Sequence, residues 1–148
     1  MKKQTIAGAC AALLIFLFLY TAVHKLANFD VFIYNMGKQP LPKWMDTILV
    51  YTLPPIEIIL AAILFFDKTR LIGFWGSLII MSLFTLYVIS VLLNFYHYIP
   101  CACGGVITKL KWNGHLILNL CFVGIAITGI LTSSKASSKL LRSRPAYS

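Results

Sequence analysis

Four long apolar runs separated by short polar gaps organise this chain. They cover roughly residues 5–26, 46–66, 71–94 and 114–132, each close to the ~20 residues that cross about 30 Å of hydrocarbon. Backbone N–H and C=O groups in lipid must pair within their own segment, so each run is predicted to be a helix. Between the second and third runs, Asp67-Lys68-Thr69-Arg70 leaves room only for a hairpin. The expected fold is an all-α membrane protein, an antiparallel bundle of four transmembrane helices. After the first run, Phe29, Phe32, Ile33 and Met36 recur at i, i+3, i+4 and i+7, with Asn28 placed to cap them and Gly37 to end them. This predicts a short amphipathic helix lying on the membrane surface. Gln39-Pro40-Leu41-Pro42 then turns the chain back, and Trp44 marks the interface.

Composition agrees with the pattern. Of 148 residues, 59% are hydrophobic and 11% charged, against about 25% charged in a soluble domain. The chain reads as one compact unit with no separate soluble domain. A net charge of +9 raises the question of nucleic acid. The basic residues gather at the ends of the apolar runs, however, where topology and lipid headgroups call for them. Met1-Lys2-Lys3 before an apolar run also describes a signal peptide, but the run is too long and no Ala-X-Ala-like site follows it. Ala7-Gly8-Ala9-Cys10 precedes the apolar stretch, whereas a lipoprotein box follows one. The first run is therefore read as a span.

Four spans put both termini on one side. That side would carry Lys2, Lys3, Lys68, Arg70, Lys135, Lys139, Arg142 and Arg144, and the other Lys25, Lys38, Lys43, Lys109 and Lys111. The excess predicts cytoplasmic termini, with the gap before the fourth span on the outer side of the membrane. Residues 133–148, rich in Ser, Lys and Arg, are expected to form a mobile cytoplasmic tail beyond a transmembrane domain of residues 1–132.

That last gap holds the most specific chemistry. It opens with Phe95, Tyr96, His97 and Tyr98, closes with Trp112, and contains Pro100-Cys101-Ala102-Cys103-Gly104-Gly105. Outside the cytosol disulfides form and persist. Cys101 and Cys103 can bond only through a tight turn, since an extended strand holds their Cα atoms near the upper limit of ~6.8 Å. So small a ring is expected to be strained, and strained bridges are oxidising and labile. Pro100, Gly104 and Gly105 favour a fixed turn that a partner's backbone can approach. A structural bridge closing so short a loop would add little stability. Redox exchange therefore leads, with a metal site or an inert pair as alternatives.

The metal alternative would join Cys101 and Cys103 to His97, a set suited to Cu(I) or Zn(II) but without standard zinc-site spacing. A histidine beside a thiol raises its thiolate fraction. That makes His97 the first candidate activator, with His24 and His115 behind it at the same membrane face. The alternative for each is a half-buried interfacial side chain. Lys25 can either stabilise a thiolate or extend its head to lipid headgroups, and the second is the more ordinary behaviour.

Glu57 falls near the middle of the second span. An ionised acid there costs about 3 kcal/mol, so it is expected to be protonated or hydrogen-bonded inside the bundle. Pro54 and Pro55 just before it remove two helix donors. A kink or cavity beside an intramembrane acid suits a proton path or a small-ligand pocket. The alternative is a neutral Glu that ties helices together through Ser82, Thr85 or another buried hydroxyl. Asn119 is expected to make an interhelical hydrogen bond. Cys10 and Cys121, at different depths, read as small apolar residues.

Tyr20-Thr21-Ala22-Val23-His24-Lys25-Leu26, Pro54-Pro55-Ile56-Glu57, Pro100-Cys101-Ala102-Cys103-Gly104-Gly105 and Trp112-Asn113-Gly114-His115-Leu116 together resemble the MauE/DoxX group of redox-associated membrane proteins. The resemblance covers about residues 5–132. It implies a four-helix membrane bundle and a place in extracytoplasmic thiol redox, with the MauE branch linked to maturation of methylamine dehydrogenase. The plan is also similar to the quinone-coupled disulfide-forming membrane proteins. Those carry Cys-X-X-Cys pairs and more loop cysteines, which leaves a quinone cofactor open. The expected partners are soluble extracytoplasmic protein thiols or a thioredoxin-like protein, together with membrane lipid. A metal-handling factor or a non-enzymatic scaffold for a maturing partner is the alternative.

Overall fold

A computed structural model describes residues 2–39, 41–93 and 112–142. The described residues form five helices and no strand: α1 (Lys2–Ala27), α2 (Phe29–Met36), α3 (Lys43–Phe65), α4 (Arg70–Leu92) and α5 (Trp112–Arg142). Within these, Lys2–Ala27, Lys43–Phe65, Arg70–Leu92 and Asn113–Ser134 are long and apolar enough to cross a membrane.

The long helices close into a ring in the order α1, α3, α4, α5, with α1 and α4 touching only slightly across the diagonal. One end of the ring is tightly filled. Leu14 of α1, Leu64 of α3 and Phe74 of α4 are wholly buried there, beside Ala126 of α5. Small residues let these helices approach, as membrane packing requires. A Cβ added at Gly73 would stand 2.8 Å from Leu64 Cγ and 3.1 Å from its backbone nitrogen. One added at Gly129 would collide with the Phe74 ring.

The turn between α3 and α4 satisfies the carbonyls that end α3. Thr69 Oγ1 donates to Ile63 O at 2.8 Å and Arg70 Nε to Leu64 O at 3.2 Å. Arg70 also pairs with Asp67 at 2.5 Å. Both contacts offer donors and positive charge where a helix C-terminus needs them.

Three local expectations change. Asn28 makes no side-chain cap on α2; its Nδ2 donates back to His24 O at 3.2 Å, and Gly37 stays in the right-handed region at φ −63°. Nor does α2 simply rest on the membrane surface. Its Phe32 and Met36 are buried against Val50 and Leu53 of α3, leaving Ile33 and Tyr34 outward. Burying two large side chains on a neighbouring helix outweighs a surface position for so short an element. At the far end α5 does not stop near Thr132. It continues to Arg142, about 46 Å for its 31 residues at 1.5 Å each, so the expected tail begins as helix.

Candidate functional site

The packing stripe between α3 and α4 behaves differently at its two ends. Where Gly73 and Gly76 face Leu64 and Leu60, the helices touch closely. Continued toward the end of α4, the same stripe presents Ile80, Leu83, Phe84 and Tyr87, and α3 answers with Ile56, Leu53 and Leu49. No glycine permits contact here, and a cavity of about 600 Å³ lies between the two helices. Its walls are completed by Thr21 and Lys25 of α1, Phe32 and Met36 of α2, and His115 and Asn119 of α5. That volume is in the range of small-molecule and cofactor pockets.

A charge pair stands in its wall. Lys25 Nζ donates to Glu57 Oε1 at 2.5 Å, and both side chains are buried. The ammonium also lies 5.7 Å from the centre of the Phe32 ring and 5.8 Å from that of Phe84. One cation thus ties α1 to α2, α3 and α4 through an ion pair and two ring contacts. The second carboxylate oxygen, Glu57 Oε2, is buried and has no hydrogen-bond partner among the described residues. Thr21 stands beside the carboxylate, but its hydroxyl donates to Phe18 O at 3.1 Å. At the end of the cavity near the C-terminus of α2, Tyr87 Oη donates to Gln39 Oε1, which pins the segment after α2 onto α4.

This arrangement corrects the reading of Lys25. Its head does not extend to the headgroups but turns into the bundle. It continues the buried stripe Ala7, Ala11, Leu14 and Phe18 of α1, so its stem leaves the helix on the inner face, where a carboxylate waits. Glu57 is held by Lys25, not by Ser82 or Thr85; the Thr85 hydroxyl is spent on Met81 O at 2.6 Å of its own helix. Pro54 and Pro55 do not break α3, which runs helical through both, and Pro54 packs into the core.

The histidines are not gathered together. His115 faces the cavity. His24 lies outside it, half-buried beside Tyr20 at a ring separation of 6.3 Å, in a shallow depression of α1. Asn119 lines the cavity without bridging to another described helix. Cys10 is a buried free thiol and Cys121 an exposed one. Among the described residues no three His, Cys, Asp or Glu side chains gather as a metal ion would need. His97, Pro100, Cys101, Cys103, Gly104 and Gly105 lie outside the described residues. The segment that carries them leaves α4 five residues after Tyr87 and enters α5 three residues before His115, and both of those side chains line the cavity.

Sequence reasoning missed Gln39, Tyr87 and Phe32 as parts of the site. It also used Asp46 only as a span boundary. Asp46 is buried, and its Oδ1 has no partner among the described residues. The one available signal was spacing: a lysine in register with Ala7, Ala11, Leu14 and Phe18 faces wherever they face.

The family model described as methylamine utilisation protein MauE matches residues 3–132. The chain belongs to the MauE family. With four apolar helices in a member of that family, this is a multi-pass membrane protein. No curated protein and no solved structure matches the chain. In this MauE-family chain the matched region takes in all four spans, the Lys25–Glu57 pair and the Cys-X-Cys segment.

Proposed function

We propose that this protein exchanges disulfides with an extracytoplasmic partner through Cys101 and Cys103. The observation that carries the reading is the Cys-X-Cys-Gly-Gly run strung between two membrane spans of a MauE-family chain. The four spans alternate in direction as an antiparallel bundle with both termini in the cytoplasm and the cysteine segment on the periplasmic side of an inner membrane. Withdrawal of Lys25 into the bundle supports this sidedness. It leaves Lys38, Lys43, Lys109 and Lys111 on the outer side against eight basic residues inside, a wider margin under the positive-inside rule.

In the exchange, a partner thiolate attacks one sulfur of the Cys101–Cys103 bridge and forms a mixed disulfide. The partner's second thiolate then displaces it. Two partner thiols lose two electrons and two protons, and the opened bridge takes them up as two thiols. The partner class is a soluble extracytoplasmic protein with thiols to pair, or a thioredoxin-like carrier. The family's name points to a protein used in growth on methylamine.

Single Cys101→Ala and Cys103→Ala variants in native membranes test the reading. One of them is expected to accumulate a reductant-sensitive covalent adduct, seen on non-reducing gels. Its remaining thiolate attacks the disulfide of an oxidised partner in the reverse of the exchange, and no second cysteine is present to release it. If neither variant ever links to another protein, exchange is wrong. Partner maturation that continues unimpaired with both cysteines replaced would make the protein a scaffold instead.

A further inference from the structure

We infer that the cavity between α3 and α4 binds a membrane-soluble quinone, with Lys25 and Glu57 as its polar contacts; this rests on the exchange reading for its purpose but not for its geometry. Access comes first. Thr52 and Ile56 of α3 and Leu83 of α4 line the cavity, are also exposed, and lie within the membrane-crossing parts of their helices. The opening therefore faces the hydrocarbon, not an aqueous surface, and admits a ligand already dissolved in the bilayer.

The wall chemistry narrows that ligand. Glu57 is the fifteenth residue of a 23-residue span, a depth that lipid headgroups do not occupy. Its carboxylate already neutralises Lys25 at 2.5 Å, so an anionic ligand would meet repulsion from the unpartnered Oε2. A neutral molecule with carbonyl or hydroxyl oxygens fits. A quinone carbonyl can accept from the Lys25 ammonium, which has three donors. A hydroquinone hydroxyl can donate to Glu57 Oε2, a buried acceptor that otherwise has no partner among the described residues. Each redox form therefore meets a matching group, and the Phe32 and Phe84 rings offer flat apolar contact to the ligand ring.

The purpose follows from the electron count of the exchange. A Cys101–Cys103 dithiol left by one turnover must lose two electrons and two protons to become a bridge again. A quinone that gains two electrons and two protons becomes a hydroquinone, so the pair of reactions balances with no further reactant. Hydroquinone then leaves laterally by the way it came.

The test uses the full-length protein in nanodiscs of dioleoyl phosphatidylcholine, titrated with decyl-ubiquinone and, separately, its reduced form. Saturable binding of both is expected. Leu83→Trp, at the exposed rim, is expected to weaken both by about tenfold or more with melting temperature unchanged. The double variant Lys25→Met, Glu57→Leu is expected to fold and to lose binding to a similar degree. Absence of saturable binding to the wild type, or full affinity in the folded double variant, would overturn the inference. The Cys101→Ala, Cys103→Ala double variant separates the two readings, because it should bind quinone normally while forming no adduct. Quinone binding without any mixed disulfide sinks exchange alone; mixed disulfide without quinone binding sinks the quinone site alone.

Discussion

Lys25→Met alone is expected to destabilise the bundle by about 3–5 kcal/mol, and Lys25→Met with Glu57→Leu to recover most of that loss. The physics is asymmetric. Removing the ammonium leaves a buried carboxylate whose two oxygens both lack partners, since Oε2 already has none among the described residues. A lone charge at this depth is worse than no charge at all. Removing both charges exchanges an ion pair, with its desolvation penalty, for two apolar side chains in an apolar wall. Glu57→Leu alone is the mirror case and strands the ammonium, although Phe32 and Phe84, 5.7 and 5.8 Å from Nζ, soften the loss. Reversible unfolding in mixed micelles of the wild type, both single variants and the double variant gives the coupling energy directly. Equal stability of the Lys25→Met protein and the wild type would mean the pair is not buried as described.

Gly129→Ala is expected to cost about 1–3 kcal/mol despite alanine being the better helix former by about 1 kcal/mol. The new methyl would enter the space of the Phe74 ring, a fully buried and rigid neighbour. Phe74 cannot swing aside, because Leu14 and Leu64, also fully buried, share its cluster. Gly124→Ala on the same helix is the control. Nothing lies within 4 Å of its added Cβ, so it should be neutral or slightly stabilising. A second variant, Gly129→Ala with Phe74→Leu, should regain part of the loss by vacating the ring. If Gly129→Ala and Gly124→Ala behave alike in thermal unfolding, the α4–α5 contact is not as close as the geometry requires.

Much of the fold was legible before any coordinates. The helix limits moved by a few residues at most at seven of the eight ends of the spans, because the polar gaps that bound them are charged or turn-forming. The eighth end, in α5, moved ten residues, since Ser133–Arg142 has helix-compatible residues and no proline or glycine to stop it. The short helix after the first span was also legible from its i, i+3, i+4, i+7 spacing. Its docking was not: the same four residues suit a membrane surface or a protein groove equally well. Glu57 stood out as an acid deep within an apolar run. Its partner did not, because Lys25 sits near a span end, where lysines ordinarily reach for water.

The number and placement of the spans came from the sequence alone, because lipid tolerates only segments of about 20 apolar residues whose backbone groups pair internally. So did the Cys-X-Cys pair and its position between two spans. Only the tertiary structure decided which face of each helix turns inward, since lipid-facing and core-facing positions are both apolar and leave little periodicity to read. For that reason the union of Lys25 with Glu57, 32 residues apart, and the cavity around them belong to the packed bundle. They exist because glycines draw α3 and α4 together at one end and larger side chains hold them apart at the other.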